Sequence, residues 1–172
     1  MWRATLMWEL LTRYFERFPA QSRVAETLMR YGLSVRPDGV YCGEIAVSDT
    51  ALARACKVDR RIISATIETI RREPELQAVY TRLEPTCLLK NAAPALKWGV
   101  VEIVPTDPHQ PGILAHVAGI IASRGISIRQ AIVDDPELVD EPRLYIVTED
   151  PIPMDVIGAI KNGPGVKSVV IS

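Results

Sequence analysis

The sequence predicts an α+β protein in two parts: a mostly helical N-terminal domain over residues 1–93 and a C-terminal βαββαβ unit over residues 94–172. Three observations carry that prediction. Residues 100–128 read as an apolar strand, a proline-rich loop, a helix, a glycine turn and the start of a second strand. Residues 143–148, 153–161 and 166–171 then read as strand, helix and strand. Before residue 74, apolar residues recur mainly at helical spacing, broken at Pro19, Gly32 and Lys57.

Composition bounds the rest. The chain has 172 residues, of which 48% are apolar and 24% charged, enough for a sizeable core in an ordinary soluble protein. No apolar run approaches the roughly 20 residues that span a membrane. The N-terminus leads into an amphipathic stretch rather than a secretory signal, so a cytoplasmic protein is expected. Cys42, Cys56 and Cys87 are widely spaced and odd in number, which argues against a disulfide framework. Residues 1–96 carry fourteen Lys/Arg against eleven Asp/Glu, and residues 97–172 carry six against ten. The basic half is the one suited to nucleic acid.

In the first half, Trp2, Leu6, Leu10 and Tyr14 repeat every four residues, with Met7, Leu11, Phe15 and Phe18 beside them. They predict a helix over 2–18 that Pro19 ends. Ser22 is placed to cap a second helix carrying Val24, Ala25, Leu28, Met29 and Tyr31, stopped by Gly32. Leu33 and Val35 start a strand, and Arg36-Pro37-Asp38-Gly39 is a turn signature. Residues 40–47 form a strand pair or one bent strand, with Gly43 weakening its middle.

Residues 48–72 predict two helices joined by a tight turn. Ser48 or Asp49 caps the first, which carries Ala51, Leu52 and Ala55. Asp59 caps the second, which turns Ile62, Ile63, Thr66, Ile67 and Ile70 inward. The spacing of Leu52-Ala53, Val58, Ile63 and Ile67 resembles the helix-turn-helix of DNA-binding regulators, with Cys56 and Lys57 where the turn glycine usually stands. In such a reader the second helix enters the major groove. Arg60, Arg61 and Ser64 would then face base edges, and Arg71 and Arg72 would meet phosphates. The alternative is a helical hairpin with solvated arginines, since Glu68, Glu73 and Glu75 dilute the positive surface. Glu73-Pro74 ends the helix. Residues 76–83 alternate as a strand, which would be the wing of a winged fold. Asn91-Ala92-Ala93-Pro94 reads as the interdomain linker.

In the second half, Glu102 interrupts Val100, Val101, Ile103 and Val104. Residues 105–112 hold too much proline to continue the strand. Ile113, Leu114, Val117, Ile120 and Ile121 define one helical face. Ala115, Ala118, Gly119 and Ala122 allow close packing, and Gly125 sits at a left-handed C-terminal cap. Gly112 opens this helix, so unpaired N–H groups point outward there and can receive a carboxylate or phosphate. Asp107 just upstream can accept an ammonium group, or it can simply stabilise the turn. Residues 126–133 form the second strand. Residues 134–142 form an acidic hairpin loop without calcium-loop spacing. Pro153 starts the second helix, with Met154, Val156, Ile157 and Ile160 inward.

The order strand-helix-strand-strand-helix-strand is the ferredoxin-like plan, which alone says nothing of function. Asp107 with Pro111-Gly112-Ile113-Leu114, then Ile120-Ile121, then Gly125-Ile126-Ser127-Ile128, resembles the ACT domain. That family's first strand leads into a D-x-P-G-L-L loop, and its first helix ends in a G-(I/V)-N-I turn. Ser127 stands where asparagine is frequent, and Pro108-His109-Gln110 lengthens the loop. Gly165-Val166-Lys167-Ser168-Val169 resembles the family's last turn and strand. The whole chain resembles archaeal regulators of amino acid metabolism, which join an N-terminal helix-turn-helix to a C-terminal ACT domain.

The resemblance implies an allosteric, amino-acid-sensing transcription regulator that works as a homodimer or higher homo-oligomer, with no cofactor, no metal and no catalysis. ACT domains pair side by side and bind a small amino acid at the interface. Carried onto this sequence, Asp107, His109, Gln110, Gly112, Ile113 and Leu114 form the loop side of the ligand site. Ile126, Ser127, Ile128 and Arg129 of the partner form the strand side. The alternatives are a ligand-free ACT dimerisation module and the regulatory subunit of a biosynthetic enzyme. A metal sensor has only His109, His116 and Cys87 to work with. No Ser/His/Asp set, phosphate loop or HExxH motif supports an enzyme.

Overall fold

The computed structural model describes residues 6–171, and the chain divides into two compact units, Met1–Thr86 and Cys87–Ser172. Trp2, expected on the first helix, lies outside the described residues.

The first unit begins with α1, Leu6–Phe15, and α2, Pro19–Arg30. Pro19 ends one helical run and opens the next, because a first-turn residue needs no N–H partner. Ser22 therefore does not cap α2. It lies inside the first turn and donates to Glu26 at 2.7 Å. A three-stranded antiparallel meander follows: β1, Ser34–Arg36, β2, Gly39–Cys42, and β3, Ile45–Val47. Arg36 pairs with Gly39 across the two-residue Pro37-Asp38 loop, so residues 40–47 are a strand pair.

Helices α3, Asp49–Cys56, and α4, Arg60–Arg72, are joined by three residues. Ser48 caps α3 by accepting from the Ala51 N–H at 3.2 Å, and Asp59 caps α4 by accepting from the Arg61 N–H at 2.8 Å. Leu52, Ala53 and Cys56 are the buried residues of α3, whereas Ala51 and Ala55 are exposed, contrary to expectation. The helix is rotated so that its larger apolar groups face Ile63, Thr66, Ile67 and Ile70 of α4.

Residues 76–83 are not a wing strand. Pro74–Tyr80 is a helix, α5, in which Leu76 and Tyr80, four residues apart, are both fully buried. Proline at its first position favours a helical start, and the apparent alternation is one short helical stripe. The Tyr80 hydroxyl donates to the Ala25 carbonyl of α2 at 3.0 Å and so ties α5 into the core.

The second unit contains β4, Gly99–Pro105, α6, Ile113–Ser123, β5, Ile128–Val133, β6, Leu144–Thr148, α7, Met154–Lys161, and β7, Val166–Ile171. The antiparallel sheet has the order β5-β6-β4-β7, as the βαββαβ plan requires. On one face, Val101, Ile103 and Ile146 pack with Val117 and Ile121 of α6 and with Val156 and Ile160 of α7. Met154, expected to point inward, is 73% exposed at the α7 start.

The other face of the sheet is not bare. Residues 87–98 form a strap across it, and Ala93 packs against Val100 and Val147 with Leu89 and Trp98 beside them. Residues 91–94 are therefore not a linker: Ala93 is fully buried and a 3-10 turn runs over Ala93–Leu96. The division falls at 86/87 rather than 93/94 because Gln130 of β5 holds the strap at both ends of its amide. It donates to the Cys87 carbonyl at 2.7 Å and accepts from the Leu89 N–H at 2.9 Å. All three cysteines are free; Cys56 is buried, Cys42 half-buried and Cys87 exposed.

Candidate functional site

The proline-rich loop after β4 delivers the chain to α6. Asp107 turns it: its Oδ1 accepts from the His109 N–H at 2.9 Å and its carbonyl accepts from the Gln110 N–H at 3.1 Å. The turn-stabilising role is thus observed for Asp107, with its second oxygen left over. Gly112 then takes φ +93°, where a side chain would be strained, and caps α6 with no side-chain bond. The first N–H of this end to find a helical partner is that of His116, bonded to the Gly112 carbonyl at 2.9 Å. Ile113, Leu114 and Ala115 are the donors that a helix start leaves open.

The start of α6 borders a cleft of about 130 Å³. Gln110, Gly112, Ile113 and Leu114 line one side of it. The other side comes from the β5–β6 hairpin, with Val133, Asp134, Arg143 and Leu144. Asp107 and His109 are exposed and lie outside the lining. Sequence reasoning read Asp134 as part of a solvated acidic loop and Arg143 as the start of a strand; the strand pairing between Val133 and Leu144 brings both to the rim of the cleft, while their side chains meet Tyr145 and Glu102 on the strap side of the sheet.

On the strap side of the sheet, behind the cleft, the charges are organised. Asp134 accepts from the Arg143 N–H at 3.1 Å and from the Tyr145 hydroxyl at 3.0 Å. Burial first, and then this bond to Asp134, pushes the Tyr145 hydroxyl up to about 12, so it remains a donor at neutral pH. Arg143 donates to Glu102 at 3.0 Å and to the exposed Glu141 at 3.3 Å, and these two bonds hold its guanidinium more firmly protonated than usual. Glu102, only 8% exposed on β4, takes Lys90 of the strap on its other oxygen at 3.0 Å. Lys90 also stands 4.1 Å from the centroid of the Tyr145 ring.

Within one chain the structure does not bring Ile126, Ser127, Ile128 and Arg129 to this cleft. Ile128 pairs with Thr148, which lies opposite Gly99 at the start of β4, while the cleft lies at its end. Five strand steps separate the two places, roughly 16 Å. Arg129 is occupied locally, 4.4 Å from the Trp98 ring centroid and 2.8 Å from Glu149.

On the first unit, Arg60, Arg61 and Ser64 are exposed along α4. Arg61 lies 3.7 Å from Asp59 with its side chain 94% exposed, and Arg72 bonds Glu73 at 3.1 Å. Arg71 does not reach out freely: its guanidinium donates twice to the Arg36 carbonyl, at 2.6 and 3.1 Å, and ties α4 to β1. A shallow depression beside Ser64 and Arg71 also contains Asp38, Asp49 and Glu68. The face of α4 is therefore of mixed sign, basic at its start and acidic at its middle. Among the described residues no group of His, Cys, Asp and Glu is arranged to hold a metal ion, and no helix is long and apolar enough to cross a membrane.

No family model matches the chain, and no curated protein matches it. Among solved structures, the crystal structure of the Mycobacterium tuberculosis leucine response regulatory protein, LrpA, is similar over 89% of this chain and 88% of that one. The two are 15% identical, with a TM-score of 0.30. A score that low does not establish a shared fold.

Proposed function

We propose that the chain is an amino-acid-responsive transcription regulator, with a second unit of ACT type as the sensor and the α3–α4 pair as a helix-turn-helix. The observation that carries this reading is the cleft, where the start of α6 at Gly112 lies beside the apolar side chains of Ile103, Val133 and Leu144. An α-carboxylate suits the open N–H groups of that helix start, and Val133, Leu114 and Leu144 leave room only for a small apolar side chain. Pairing of two copies would add Ile126, Ser127, Ile128 and Arg129 to the ligand. It would also set two α4 helices at a fixed separation, usefully one DNA turn of about 34–36 Å. Arg60 and Arg61 are then the base readers, and Arg72 is the phosphate contact in preference to Arg71. In this reading the chain is not an enzyme.

A second reading, a module that pairs without a ligand, draws on the sheet edges, where Val133, Val170 and Ile171 are 57%, 41% and 50% exposed. Thermal unfolding of the full chain against each of the twenty amino acids separates the two. A ligand at a hundred times its dissociation constant adds about 2.7 kcal/mol, a shift of several degrees. Gly112→Val should abolish that shift; a Cβ there meets no atom within 4 Å, but φ +93° strains any side chain, so the ligand-free melting temperature of the variant falls as well. Twenty flat responses from the wild type would leave only the pairing module.

A further inference from the structure

We propose that Arg54 and Lys57 make the corner between α3 and α4 a phosphate anchor for duplex DNA. This rests on the DNA-binding reading above and adds to it two residues that lie outside α4. From residue 54 to residue 61 the chain carries Arg54, Lys57, Arg60 and Arg61 against one acid, Asp59, in a protein whose net charge is -1. All four cations are exposed. Among the described residues, the side chains of Arg54, Lys57 and Arg60 enter no ion pair. Asp59 is engaged inside the corner: its Oδ1 accepts from the Arg61 N–H at 2.8 Å and lies 3.7 Å from the Arg61 guanidinium. Farther along α4 the balance changes. Arg71 is held by the Arg36 carbonyl, Arg72 by Glu73, and Asp38, Asp49 and Glu68 border the depression beside Ser64. The unpaired positive charge of the helix pair is concentrated at the corner.

The backbone supplies a second observation. Lys57 ends α3 in the left-handed conformation, φ 53° and ψ 48°, and its N–H turns back to the carbonyls of Ala53 and Arg54. The Val58 N–H completes the closure on the Ala53 carbonyl at 3.0 Å. Glycine makes such a cap without strain, so the cap itself does not call for a lysine. What the lysine brings is a compact charge on a flexible stem, set three residues after Arg54 and three before Arg60. The strain of its Cβ is kept with no ion pair among the described residues to offset it, and a row of phosphates would provide the missing partner. A lysine or arginine that meets a phosphate displaces condensed counterions. Each such contact therefore adds about 0.9 to the slope with which log affinity falls against log salt. A residue that only caps a helix leaves that slope alone.

The test uses the full chain and a fluorescein-labelled DNA duplex of random sequence, with binding read by anisotropy across a series of potassium chloride concentrations. Lys57→Gln and Arg54→Gln each lower the salt slope by about 0.9, and the double variant by about twice that. Lys57→Arg, which keeps the charge, keeps the slope. Lys57→Gly loses the same slope as Lys57→Gln while melting at a higher temperature, which separates the charge from the backbone. Arg23→Gln, on the exposed side of α2, serves as the control for net charge and keeps the full slope. Wild-type slopes in Lys57→Gln and Arg54→Gln overturn the anchor and leave the DNA-binding reading intact. An equal loss in Arg23→Gln also overturns it, since any cation of the unit would then serve. If the wild type binds no duplex even at the lowest salt, the DNA-binding reading fails and the anchor goes with it.

Discussion

Tyr80 is the largest fully buried side chain among the described residues, and its hydroxyl has one partner, the Ala25 carbonyl. Burial, reinforced by Glu26, pushes that hydroxyl well above the ordinary tyrosine value of 10.0. The folded state therefore keeps its proton where the unfolded chain starts to lose it. The contribution of Tyr80 is complete below pH 10 and declines above it, because only the unfolded state gains from ionisation. Tyr80→Phe should cost about 1 kcal/mol at neutral pH. That deficit should shrink by about 1 kcal/mol over the first pH unit above 10, since phenylalanine has nothing to ionise. Urea unfolding of the pair at pH 7, 10 and 11 measures both numbers; a deficit independent of pH would mean that Tyr80 titrates freely. Asp107 and Asp134 make a contrast at the same scale. The sequence singled out Asp107 by its place before a glycine-opened helix, and it mainly builds the turn. Asp134 gave no local signal, because only the Val133–Leu144 pairing brings it to Arg143 and Tyr145.

At the scale of elements, periodicity made most of the helices and strands readable, and the misses share one cause. A short element carries too few turns to fix its own type. Leu76 and Tyr80 fit either an alternating strand or one helical turn, and the decision came from Pro74 and from the core between α2 and α4. Residues 91–94 looked like a linker because their composition is irregular, yet the strap they belong to is held by Gln130 and Glu102, more than ten residues away in sequence. The turn between α3 and α4 shows what a departure from pattern does physically. Lys57 takes φ +53°, a left-handed conformation in which a Cβ is crowded. Lys57→Gly should raise stability by about 1 kcal/mol, seen as a melting temperature several degrees higher. A fall instead would mean that the lysine side chain holds the turn.

For the whole molecule, the consequential boundary is the one at 86/87. A fragment of residues 87–172 keeps Ala93 over Val100 and Val147, and Lys90 on Glu102. A fragment of residues 94–172 loses both and leaves a buried carboxylate with one cation fewer. It should be less stable than the longer fragment by at least about 2 kcal/mol, measured by denaturant titration of the two. Equal midpoints would return residues 87–93 to the status of a tether. The sheet, its two helices and their core follow the expected plan, whereas the covering of the sheet's second face was not visible from the sequence. It depends on a run of chain folding back over strands that come after it.

That fold-back leaves the molecule with a built-in handle. Cys87 is the exposed thiol at the strap's first residue, while Cys56 is enclosed and Cys42 half-shielded. A maleimide dye should therefore react there first, without any cysteine being engineered in. Its fluorescence anisotropy would follow the strap in real time as effectors are mixed in.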